Sequence, residues 1–346
     1  MSNFYPIEQW ETCPCRIDGL CFSPFIDGQD PNSGVVIPER QIIDRLSTVA
    51  PYTKSIRTFG CIHGLGYIPI VAKAMGLNIS AGAWLGSDFE ANNKEIESLI
   101  TIAQAGLADV CVVGNEVLLR GDLSESQLIE YINHVKTAVP GVPVTTAEVY
   151  NVLLRHPAVI SACDIVYINI YPFWEGIAID RAVAFIHEKY KEVKKAVGNK
   201  QIVVAETGWP SDGEIVGEAV PGLENACRYF LNFVSWAKAQ DINYFYFEAF
   251  DEPWKAGYEG PQGSSWGIWN ESGTLKSCMQ RVFDGETVPD NWSKEGFLPG
   301  QLGIEFTYVP PYGSFEDLSG KVTGVKPADY RVAVYIYVEG WWNKPY

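Results

Sequence analysis

Between residues 17 and 285 the chain repeats one unit eight times: a short, nearly continuous apolar run followed by a stretch with helical spacing. The runs cover 19–25, 55–60, 78–85, 109–116, 142–148, 164–171, 201–206 and 243–250. Runs apolar on both alternating sets of positions are what parallel strands buried on two faces require. Between them, Ile42, Ile43 and Leu46, then Ile68, Val71 and Met75, then Ile96, Leu99, Ile100 and Ala103 recur on single helical faces, and Ser124 with Gln127 forms a capping-box start. Further helices are expected over 152–163, 181–197 and 223–239, with a last one beginning near Leu275. Eight strand-then-helix units with no second periodicity predict a closed (β/α)8 TIM barrel of the α/β class rather than an open doubly wound sheet. No Gly-x-Gly-x-x-Gly follows the first strand, which removes the main support for a nucleotide site.

Beyond about residue 285 the alternation stops, and Pro, Gly and aromatic residues set the texture around one strand-like run at 331–339. The expected organisation is an N-terminal extension at 1–16, a catalytic barrel at 17–285 and a short β-rich C-terminal extension, or the start of an accessory domain, at 286–346.

Barrel chemistry sits at the C-terminal ends of the strands, so the residues there are the candidates. They are Phe22 from the first strand, Arg57 from the second, Trp84 from the third, Asn115 and Glu116 from the fourth, and Glu148 from the fifth. Tyr171 and Trp174 follow the sixth, Glu206 and Trp209 the seventh, and Glu252 and Lys255 the eighth, with Trp266 shortly after. Carboxylates and aromatics in one rim suit a neutral ligand with many hydroxyls and apolar ring faces, a carbohydrate. A net charge of −16 disfavours nucleic acid and anionic membranes as partners. The four histidines form no His-x-x-x-His pair and Cys13-Pro-Cys15 is an isolated C-x-C, so no metal and no cofactor are expected.

Cys21, Cys111 and Cys227 lie in apolar runs and read as buried, reduced thiols. The opening residues show neither a basic start nor an apolar leader core, so the chain as given reads as cytoplasmic, or as exported if a leader was removed. A monomer is expected.

Two glutamates at the ends of the fourth and seventh strands can supply both groups of glycoside hydrolysis, a proton donor for the leaving oxygen and a nucleophile or base opposite it. Their repulsion, felt across one cleft, keeps one protonated beside an ionised partner. The surrounding residues carry a family likeness. Val-Val-Ala-Glu206-Thr-Gly-Trp-Pro-Ser and Val-Gly-Asn115-Glu116-Val, with Ile56-Arg-Thr-Phe59, Phe250-Asp-Glu252-Pro-Trp-Lys255 and Trp266-Gly-Ile-Trp269, resemble glycoside hydrolase family 17, the β-1,3-glucanases, over roughly residues 17 to 283. The resemblance implies a retaining mechanism with Glu206 as nucleophile and Glu116 as acid/base, Glu252 and Lys255 as supporting residues, and β-1,3-glucan as substrate. It departs at Phe22, where many members carry Tyr, and in the C-terminal tail. Transglycosylation shares the same glycosyl-enzyme, and Trp174, Trp254, Trp266 and Trp269 are placed to line acceptor subsites. A sugar-binding barrel without catalysis is the reading from another class.

Overall fold

In the computed structural model, residues 15–292 are described in full, together with the backbone of four short strands near the C-terminus. The chain divides into two compact units, 1–291 and 292–346. In the first, eight parallel strands follow one another around a single sheet in chain order: β1 (Ile17–Cys21), β2 (Thr53–Arg57), β3 (Asn78–Ala83), β4 (Val110–Asn115), β5 (Val144–Val149), β6 (Val166–Asn169), β7 (Ile202–Glu206) and β8 (Asn243–Tyr244). Leu20 bridges Tyr246 in parallel and brings the last strand back to the first. This is the (β/α)8 barrel expected from the eight runs.

The helices cover it because their apolar stripes demand a partner. Helix α1 (Glu39–Val49) buries Ile42, Leu46 and Val49, and α2 (Ile68–Ala74) buries Ile68 and Val71. Helix α3 (Phe89–Gln104) buries Ile96, Leu99 and Ile102, its N-terminus capped by the Asp88 side chain. A one-turn helix α4 (Val117–Arg120) follows β4 directly, and α5 (Glu125–Ala138) starts with the Ser124–Gln127 capping box. The helix expected over 152–163 is two short ones, α6 (Tyr150–Leu153) and α7 (Pro157–Ala162), because Pro157 disfavours helical geometry in the residue before it. Helix α8 (Ala182–Val197) and helix α9 (Leu223–Ala239) complete the outer layer. After β8 come two one-turn helices, α10 (Ala256–Glu259) and α11 (Gln280–Phe283).

Two further expectations are corrected. The eighth run predicts a strand through 250, but the regular ladder ends at Tyr244. Beyond it successive amides bond to different neighbours: Phe247 N to Thr207 O, Ala249 N to Cys21 O and Asp251 N to Trp269 O, so no single ladder continues. Cys227 is not a reduced thiol but is disulfide-bonded to Cys278, joining α9 to the segment before α11. Cys21 and Cys111 are buried free thiols as expected. Cys13 lies outside the described residues.

In the second unit, Gly303–Tyr308 pairs antiparallel with Ser319–Thr323, and Tyr335–Tyr337 with Trp341–Asn343. Of the expected strand at 331–339 only 335–337 fall within the described residues.

Candidate active site

Glu206 closes β7 at 4% exposure. The turn after it can pass against the chain beyond β8 only because residue 208 is glycine: a Cβ there would lie 2.0 Å from Phe247 O. A buried carboxylate needs donors, and Glu206 has two strong ones. Arg57 Nη1 reaches Oε1 at 2.6 Å and the Tyr171 hydroxyl donates to Oε2 at 2.8 Å. Arg57 ends β2 fully buried; Nη1 also bonds Ala205 O at 3.1 Å, Nη2 bonds Asn115 Oδ1 at 2.9 Å, and its guanidinium lies 4.7 Å over the Phe59 ring.

Glu116 is delivered differently. Register slips between Val112 and Asn115 on β4, Gly114 sits at φ 78° and Glu116 at φ 53°. Two left-handed residues in three turn the strand end inward, and glycine is demanded at 114 on two counts, its φ and a Cβ that would meet Val117 Cγ2 at 2.5 Å. Asn169 Nδ2 donates to Glu116 Oε1 at 2.8 Å and to Asn115 Oδ1 at 3.1 Å. Burial, and then the neighbouring Glu206 charge, push the Glu116 carboxyl up to about 8. The rim therefore holds one carboxylate furnished with cationic and hydroxyl donors and one carboxyl kept neutral near pH 7. That pair can protonate a leaving oxygen while attacking carbon.

Beside them lies a second buried cluster. Lys255 Nζ bridges Glu248 Oε2 at 2.5 Å and Glu252 Oε2 at 2.7 Å and lies 4.3 Å over the Phe247 ring. Burial raises the Glu248 carboxyl well above the usual range; at Glu252 burial pushes the same way, but the Lys255 charge and hydrogen bonds with Lys255, Ser23 and Glu248 together hold the carboxyl low.

The remaining candidates separate by position. Trp84 and Trp174 present 44% and 40% of their surface, the Trp84 ring backed at 4.3 Å by the Arg120 guanidinium. Trp266 is buried in an aromatic cluster with Tyr171, Phe173, Trp174 and Phe247. Phe22 is buried edge-on to Phe250. Trp209 is buried against Phe173 and Tyr229 with its indole N–H on Val220 O, in the core rather than the rim. Glu148 is buried with its oxygens on the backbone amides of Leu118, Leu119 and Val149, so it caps α4 behind Glu116 instead of facing a ligand. Asn169, absent from the sequence candidates, is central; its signal was a polar side chain closing the otherwise apolar run of β6. Among the described residues no group of His, Cys, Asp and Glu is arranged to hold a metal ion.

Comparison with known proteins agrees with this fold. The model of the BtgE/BtgC glycoside hydrolase domain matches residues 19–267. Glucan 1,3-β-glucosidase BGL2 of Candida albicans is 31% identical over 265 residues, 69% of this chain and 86% of that protein. The crystal structure of a family 17 β-1,3-glucanosyltransferase from Rhizomucor miehei superposes with a TM-score of 0.68 at 28% identity, covering 76% of this chain and 96% of that one. An active-site mutant of the same Rhizomucor enzyme, crystallised with laminaritriose, gives 0.66 over the same shares. With the family model spanning most of the barrel and both glutamate-bearing strand ends inside it, the chain belongs to glycoside hydrolase family 17 and is a glycosidase.

Proposed function

We propose that the protein cleaves β-1,3-glucan with retention of configuration, Glu206 acting as nucleophile and Glu116 as acid/base. The observation that carries this is the contrast between the two carboxyls: Glu206 sits on Arg57 and Tyr171 donors, while Glu116 is held protonated by burial beside Glu206. In the first half-reaction a Glu206 oxygen bonds C1 of the sugar as the C1–O bond to the leaving group breaks, and the Glu116 proton passes to that oxygen. In the second, ionised Glu116 takes a proton from water, the water oxygen bonds C1, and Glu206 departs with its charge. Asn115 spends its Oδ1 on two donors, which leaves its NH2 for a sugar hydroxyl. Trp84 and Trp174 offer flat apolar faces for pyranose rings. The β-1,3 linkage is supported by the activities named for the Candida and Rhizomucor relatives. One chain supplies every group invoked, so a monomer suffices.

The test is Glu206→Gly with an aryl β-glucoside and azide. Azide entering the vacated space beside Arg57 should yield the α-glycosyl azide, whereas β-glycosyl azide, or wild-type turnover of laminarin-type glucan by the variant, would remove the assignment. Transfer to a sugar acceptor is favoured as a second reading by the likeness to a glucanosyltransferase. Product analysis over time on β-1,3-oligosaccharides separates the two, because transfer makes chains longer than the substrate before glucose accumulates.

A further inference from the structure

We infer that Asn169 is the positioning residue of the acid/base: it fixes Oε2 of Glu116 as the oxygen that carries the transferable proton. This rests on the proposed roles of Glu116 and Glu206.

The donors and acceptors form a chain that begins at a group with no choice. Arg57 is fully buried and can only donate. Its Nη2 faces Asn115 at 2.9 Å, so the atom there is the carbonyl oxygen Oδ1. Asn169 meets that same oxygen at 3.1 Å and must present its NH2, since its own carbonyl oxygen would face another lone pair. The second hydrogen of that NH2 points to Glu116 Oε1 at 2.8 Å. Oε1 is thereby committed as an acceptor, and the proton of the neutral acid goes to Oε2. Through Arg57 Nη1 the same chain ends on Glu206 Oε1 at 2.6 Å. The two glutamates are thus linked by three side chains from β2, β4 and β6, with Asn169 directly opposite Glu206 in the β6–β7 register.

Asn169 also sets how acidic that proton is. A hydrogen bond given to Oε1 favours the ionised form of Glu116, against burial and the charges of Glu206 and Glu148, and together with Arg120. Tyr171 and Arg57 stand on the nucleophile's side of the chain. Removing the donor therefore moves the carboxyl further up, and the alkaline limb of the activity profile, set by loss of the Glu116 proton, moves with it.

The experiment compares full-length wild type with Asn169→Ala, Asn169→Asp and Asn169→His, reading kcat/KM against pH on a β-1,3-glucan and on an aryl β-glucoside with an activated leaving group. Misplacing the proton should cost roughly 100-fold on the polymer and less than about 10-fold in the glycosylation step with the aryl substrate, which needs no proton. The alkaline limb should rise by about one pH unit in Asn169→Ala and further in Asn169→Asp, where an acceptor replaces the donor. Asn169→His, which keeps a ring N–H, should return the limb toward wild type. Asn169→Asp preserves shape, so a folded variant lacking the donor is available even if the alanine variant unfolds. An unmoved limb in the folded variants, or equal losses on both substrates, would overturn the inference. Wild type that cleaves no glucan would instead overturn the proposed function.

Discussion

Glu116→Gln should make the protein more stable, and by an amount that depends on pH in a defined way. The substitution keeps the volume and leaves an oxygen for Asn169, but removes the ionisation. In the fold the Glu116 carboxyl lies at about 8 against an ordinary 4.5, because burial and Glu206 penalise its charged form. Below about pH 4.5 folded and unfolded chains both hold the proton and nothing is lost. As pH rises the unfolded chain ionises first, so stability drains away until the folded carboxyl ionises too, near pH 8. The full penalty corresponds to about 5 kcal/mol, and at pH 7 to about 3 kcal/mol. Relative to wild type, Glu116→Gln should therefore gain little near pH 4 and about 3 kcal/mol at pH 7. Urea unfolding followed by tryptophan fluorescence reads this as a midpoint that diverges from wild type with rising pH at constant slope. A stability difference that is the same at both pH values would show that Glu116 ionises normally, and the acid role would lose its physical basis.

Two further outcomes are expected. Tyr171→Phe removes one hydrogen bond to a buried carboxylate at 2.8 Å, worth about 1.5–3 kcal/mol, so kcat/KM should fall about 10- to 100-fold with the fold intact; a loss under twofold would place the hydroxyl outside the reaction. Cys227→Ser opens a cross-link between residues 51 positions apart, which should cost about 4 kcal/mol and about 10 °C in melting temperature. Wild type should lose a similar amount on reduction, and identical melting with and without reductant would count against the bond.

The barrel was legible because its strands are buried on both faces and so read as uninterrupted apolar runs, a signal that needs no knowledge of neighbours. Glu116 and Glu206 were legible for the same reason, each a charge at the end of such a run. What escaped depended on three-dimensional company. Glu148 has the same sequence signature as the other two glutamates, yet the backbone amides at the start of α4 take it. Trp209, in a turn next to Pro210, looks like a rim aromatic until Phe173 and Tyr229 close over it. Asn169 becomes meaningful only once Arg57 has fixed the orientation of Asn115. The Cys227–Cys278 bond joins α9 to the turn at Ser277–Met279, 51 positions along the chain, and the pattern of either segment alone gave no hint of the pairing.

The Arg57–Glu206 ion pair, with side chains 1% and 5% exposed, also constrains how such a site can decay over generations. Losing either partner alone strands the other's charge in the interior, at about 3–5 kcal/mol, a large share of what a domain has to spare. A lineage that loses catalysis at Glu206 must therefore cross a destabilised intermediate or exchange both residues at once, whereas one that loses it at Glu116 is spared that cost.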